Sequence, residues 1–149
     1  MTGMMAVRDC GLPLPAAGLA ISPWLDLECS GASMKTKAKS DLALNRGALL
    51  HAGRSYRGGS AGEGRGGQLS PLGADLSGLA PLLIQVGSAE ILFDDATRLA
   101  AQAGAADVSV RLEIWPSMPH VWHLFGFMLG EGRDAIRHAG AFLETHMSG

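Results

Sequence analysis

The sequence predicts a parallel α/β fold, and three observations predict it. Residues 16–22 and 81–87 are short apolar runs that read as buried strands, and residues 108–115 alternate apolar with polar as a third. Helix-like stretches flank and separate them, so the order is helix, strand, helix, strand, helix, strand, helix. Polar chemistry follows each strand: Trp24 and Asp26 after the first, Glu90 after the second, His120 after the third. In such sheets the crossovers are right-handed and ligands sit outside the carboxyl ends of the strands, so one rim collects these residues.

Each element has a local reason. Residues 1–8 read as the end of a helix that Cys10-Gly11 stops, and Leu12-Pro13-Leu14-Pro15 is a rigid link. After the first strand, residues 30–40 carry Lys35, Lys37 and Lys39 and read as a solvated surface. Leucines at 42, 44, 49 and 50, with Asn45 as a cap, predict a short helix beginning near Asn45. Residues 51–70 are rich in Gly, Ser and Arg and read as a long flexible loop. The second strand is followed by a helix opened by Asp94 or Asp95, with Leu99 and Ala100 inward and Gly104 as its stop. The third strand shows Ser109, Arg111 and Glu113 on one face, which predicts a wet side or a sheet edge. Residues 131–146 form a final amphipathic helix with Ile136, Ala139, Phe142 and Leu143 on its apolar face.

Composition narrows the function classes. At 149 residues and 47 % hydrophobic content the chain has one domain's length and enough apolar surface for a core. A net charge of −2 offers no basic stripe, which argues against a nucleic-acid partner. No run approaches the ~18 apolar residues of a membrane span. Cys10 and Cys29 lack CxxC spacing and read as unpaired thiols in a reducing compartment, and residues 1–8 do not form a signal peptide. A cytoplasmic location is the expectation.

The most informative segment is 81–120. A carboxylate, Glu90, stands beyond the C-terminal end of a strand, and 120 − 90 = 30 residues later comes Met118-Pro119-His120. Other motifs accompany it: Arg8-Asp9-Cys10-Gly11-Leu12-Pro13-Leu14-Pro15, Ser22-Pro23-Trp24-Leu25-Asp26-Leu27, Ser70-Pro71-Leu72, Asp75-Leu76-Ser77-Gly78-Leu79, and Val121-Trp122-His123 after His120. Together they resemble the C-terminal part of the hormone-sensitive-lipase-like carboxylesterases, the α/β-hydrolase fold-3 group, over nearly the whole chain. The resemblance implies the C-terminal portion of an α/β-hydrolase fold, about three parallel strands with flanking helices. It makes residues 1–149 a partial α/β-hydrolase domain and implies Glu90 as triad acid and His120 as general base. The family hydrolyses carboxylic esters, usually of short acyl chain, and needs no cofactor and no metal.

The family's His-Gly-Gly-Gly oxyanion loop and its Gly-Asp-Ser-Ala-Gly-Gly nucleophile elbow are not among these residues. The N-terminal half of the sheet is therefore expected to be missing and the nucleophilic Ser to lie outside this chain. The chain is expected to be inactive alone, because triad members act as a unit. The first strand would then expose an edge, to be covered by a homo-oligomer or a complementing N-terminal fragment. The alternative reading is a non-catalytic remnant or interaction module that pairs this edge with a partner.

Several residues carry competing readings. Gly58-Gly59-Ser60-Ala61-Gly62 spells Gly-x-Ser-x-Gly but has neither a buried strand before it nor a helix after it, so it reads as loop rather than elbow. Ser88 follows a strand without the elbow pattern and is not expected to be a nucleophile. Asp94 and Asp95 compete with Glu90 as acids, but their place at a helix start favours capping. His120 and His123, three apart, lack a third metal ligand at a useful spacing. Trp24 and Trp122 read as core or pocket wall, Asp26 as a structural hydrogen-bonding residue, and His138 and His146 as surface positions.

Overall fold

The computed structural model describes residues 1–58 and 70–147. Three strands, β1 (Gly18–Ile21), β2 (Leu82–Gly87) and β3 (Val110–Trp115), form a parallel sheet in the order β1-β2-β3. The register runs from Gly18 opposite Leu82 to Ile21 opposite Gln85, and from Leu82 opposite Val110 to Gly87 opposite Trp115. The helices are α1 (Thr2–Asp9), α2 (Ser33–Thr36), α3 (Arg46–Tyr56), α4 (Phe93–Ala105) and α5 (Gly130–Met147), with one 3-10 turn at Trp122–Phe125.

The central strand explains the layering. All six residues of β2 are buried. Its side chains alternate between faces, so Leu82, Ile84 and Val86 point one way, into a core shared with Ala96, Leu99 and Ala103 of α4. Gln85 points the other way and donates from Nε2 to the Ala135 carbonyl of α5 (2.9 Å). Helices therefore cover both faces, as a parallel sheet requires. A second cluster of Cys29, Met34, Leu49, Ile91 and Leu92 packs α2 and α3 beneath the loop that follows β2.

The structure corrects several expectations. The first strand is only partly buried, with Leu19 37 % exposed, because among the described residues β1 has a neighbour on one side alone. Asn45 does cap α3, its Oδ1 accepting from the Ala48 amide (2.9 Å), but the helix runs on to Tyr56, into the stretch expected to be loop. Gly53 is not a breaker there. It is buried, and a Cβ on it would lie 3.0 Å from the Leu27 carbonyl, so glycine allows α3 to approach that loop. The rest of the expected loop and the core of the Gly-x-Ser-x-Gly match, residues 59–69, lie outside the described residues.

Gly104 does not end α4, which continues to Ala105; Asp107, at φ 57, supplies the left-handed turn instead. In α5 the buried face is small: Gly132, Ala135 and Ala139, while Ile136 is 52 % exposed. The Gly132 Cα is the reason, since a Cβ there would sit 3.0 Å from Gly126 backbone and from the Trp122 carbonyl. On β3, Arg111 is exposed, but Glu113 is half-buried and accepts from Gln85 Nε2 (2.8 Å). No helix among the described residues is long and apolar enough to cross a membrane.

Candidate active site

β2 and β3 are parallel neighbours, so the loops leaving their carboxyl ends lie side by side. Ser88 N donates to the Trp115 carbonyl (2.8 Å), Ser117 N to Ser88 Oγ (2.8 Å) and Ala89 N to the Met118 carbonyl (3.3 Å). Gly87 makes this contact possible: a Cβ there would stand 2.0 Å from the Met118 carbonyl oxygen. The two loops carry Glu90 and Met118-Pro119-His120.

The structure brings Glu90 and His120 together. Glu90 Oε2 lies 3.0 Å from His120 Nδ1. Glu90 is 0 % exposed, and the His120 side chain is 21 % exposed. A carboxylate can only accept, so Nδ1 carries the proton and the lone pair is left on Nε2. Nε2 has no protein partner among the described residues. The other carboxylate oxygen, Oε1, accepts from Gly87 N (2.6 Å) and from Ser22 Oγ (2.8 Å). Ser22 Oγ in turn accepts from Val121 N (3.1 Å). Chemically, the arrangement is a partly exposed imidazole held in one tautomer by a buried carboxylate with three donors.

The segment of residues 30–40 is largely exposed as expected, Lys35 and Lys39 included, but three of its side chains also hold the loop that carries Glu90. Ser33 Oγ donates to the Ile91 carbonyl (2.6 Å), Lys37 Nζ to the Ser88 carbonyl (2.6 Å) and Ser40 Oγ to the Ala89 carbonyl (3.0 Å). Lys37 also lies 4.6 Å over the Phe93 ring, so of the three lysines this one is spoken for. Just beyond, the buried Asp41 accepts from Ile91 N (2.8 Å) and from Ala43 and Leu44 in its own turn. Sequence reading missed all four residues, because their bonds to the 88–91 loop are not local.

The competing carboxylates sit elsewhere. Neither Asp94 nor Asp95 caps its own helix: Asp94 accepts from Ser33 N (2.9 Å), and Asp95 accepts through Oδ2 from the Leu25 and Asp26 amides (both 2.8 Å). Burial pushes the Asp95 carboxyl above the usual range, outweighing those two amides, and its Oδ1 has no partner among the described residues. Asp26 is a structural acceptor as its place suggested. Burial raises its carboxyl, but Ser30, Arg98 and the Glu28 amide together hold it below the usual value.

His123 goes to a different partner from His120. It is buried, its ring tilted 40° against Trp122 with centroids 4.1 Å apart, and its Nε2 is 2.9 Å from Gln85 Oε1. Gln85 continues the chain to Glu113, which His138 Nδ1 also reaches (3.2 Å), so His138 is not a free surface residue. Burial raises the Glu113 carboxyl, yet Gln85, Arg111 and His138 outweigh it and hold it low. Burial pushes the His123 imidazole down, against the opposing pull of the Glu90 charge. Among the described residues no three His, Cys, Asp or Glu side chains gather as a metal site. Trp122 is fully buried; Trp24 is half-buried, lines an apolar cleft of about 270 Å³ with Leu25, Leu27 and Tyr56, and donates from Nε1 to the Asp26 carbonyl (3.0 Å).

Residues 1–124 match the sequence model of a family described as the alpha/beta hydrolase fold. The chain is 47 % identical over 145 residues to an acetyl-hydrolase of Streptomyces hygroscopicus, covering 97 % of this chain and 48 % of that protein. It is 33 % identical over 129 residues to an esterase of Acinetobacter venetianus, covering 87 % of this chain and 42 % of that one. Among solved structures it is similar to an esterase from the bacterial hormone-sensitive lipase family, with a TM-score of 0.91 and 44 % identity over 97 % of this chain and 48 % of the other. The chain thus spans about half the length of the curated relatives it matches.

Proposed function

This chain belongs to the α/β-hydrolase fold family, in its hormone-sensitive-lipase-like branch, and from that premise we propose that it carries the acid and the base of a serine-dependent carboxylic ester hydrolase. Glu90 is the triad acid and His120 the general base. His120 Nε2 takes the proton of a serine hydroxyl as that oxygen attacks the ester carbonyl, and returns it to the leaving alcohol. Glu90 holds the imidazole in the right tautomer and stabilises the cation that forms. The serine and the oxyanion donors come from outside these 149 residues, which form a partial α/β-hydrolase domain. The substrate class is a small ester with a short acyl chain; the names of the Streptomyces and Acinetobacter relatives support this. The chemistry needs no cofactor or metal. The free thiols of Cys10 and Cys29 support a reducing, cytoplasmic setting.

The observation that carries this reading is the 3.0 Å contact between a fully buried Glu90 and the partly exposed His120. A second reading, an interaction module, is favoured by the edge of β1, which pairs with no second strand among the described residues and would suit a strand from a second copy or an N-terminal fragment. The first reading is tested by an assay of the purified 149-residue chain on short-chain p-nitrophenyl esters. The proposal expects hydrolysis no faster than in buffer; His120-dependent turnover by the chain alone would contradict it.

A further inference from the structure

We infer that Ser22 is a positioning residue for the acid–base pair, its hydroxyl tying the Glu90 carboxylate to the backbone beside His120. This rests on the reading of Glu90 and His120 as triad members.

The geometry starts at the end of β1. Ser22 is buried and stands at φ 44, in the left-handed region that costs an L-residue energy and that glycine would enter freely. Val121, next to His120, is also left-handed, at φ 47, and is β-branched, which makes it an outlier. One hydroxyl joins these two strained residues. Val121 N can only donate, so Ser22 Oγ accepts there (3.1 Å), and its single proton goes to Glu90 Oε1 (2.8 Å). That leaves no second proton for any other acceptor.

Two consequences follow for the pair. With Ser22 Oγ and Gly87 N both on Oε1, the carboxylate cannot rotate without losing two donors. Oε2 therefore stays aimed at His120 Nδ1. The bond from Val121 fixes the backbone immediately after the imidazole, so acid and base are registered to the same oxygen. A serine at a position that suits glycine is explained by what its hydroxyl does.

Ser22→Gly tests this, because it relieves the backbone and removes the CH2OH side chain that carries the hydroxyl. The probe is solvent exchange of the His120 Nδ1–H and Val121 amide protons, followed by NMR in the 149-residue chain. In Ser22→Gly we expect the thermal midpoint to hold or rise while both protons exchange ~10-fold faster, the loss of one hydrogen bond. The same protection as in the parent chain would overturn the inference while leaving the acid–base reading intact. Absence of a protected His120 Nδ1–H in the parent chain would overturn both. Should Ser22→Gly not fold, Ser22→Thr and Ser22→Val form an isosteric pair with equal branching. Protection in Thr but not in Val supports the inference, and equal exchange in the two overturns it.

Discussion

Glu90 and His123 are both buried polar groups, but they meet burial in opposite ways. Glu90 has a donor for each requirement: Ser22, Gly87 and His120. His123 has Gln85 on Nε2 and, among the described residues, no partner on Nδ1. Its imidazole is therefore pushed below its ordinary value near 6.5, by burial first. As pH falls through about 6.5 the unfolded chain binds a proton that the folded chain refuses. Stability present above that pH is lost as pH falls toward the lower, folded value. We predict a decline in denaturant midpoint below about pH 6.5 that His123→Gln flattens. An unchanged slope in the variant would assign the decline to other groups. Neither the bond of His123 to Gln85 nor that of Ser22 to Glu90 is legible in the sequence, since they reach 38 and 68 residues along the chain.

Among the elements, the join of β2 to the turn before His120 is the tightest. Gly87→Ala places a methyl 2.0 Å from the Met118 carbonyl, against backbone that cannot step aside cheaply. We expect a loss of about 3 kcal/mol in urea unfolding, together with loss of the protected His120 Nδ1–H. A near-neutral variant would mean that the two loops are not in contact. The sequence made the strands legible because continuous apolar runs and strict alternation are local signals. It made the neighbouring positions of Glu90 and His120 legible for the same reason, each lying just past a strand of one parallel sheet. What it hid was packing by absence. Gly53 and Gly132 look like helix breakers, yet each is buried where a Cβ would crowd backbone, at 3.0 Å. Large apolar residues drew the reading of α5 toward Ile136, which faces out. The bonds of Ser33, Lys37 and Ser40 were not legible, because a charge run says nothing about a carbonyl 50 residues away that needs a donor.

At the scale of the whole molecule, a three-stranded sheet with helices on both faces carries Glu90 and His120 in contact at its carboxyl-end rim. It leaves β1 with one edge unpaired among the described residues, and it spans about half of each relative it matches. The account holds that this half supplies the proton-transfer machinery and that the other half, from whatever source, supplies the nucleophile. The most direct measurement is a chimera in which this chain replaces the matching 48 % of the Streptomyces acetyl-hydrolase, assayed on an acetyl ester. The account predicts that the chimera hydrolyses the ester and that His120→Ala or Glu90→Gln within it lowers kcat by ~10³-fold or more without unfolding it. A folded, active chimera whose rate is indifferent to His120 would contradict it.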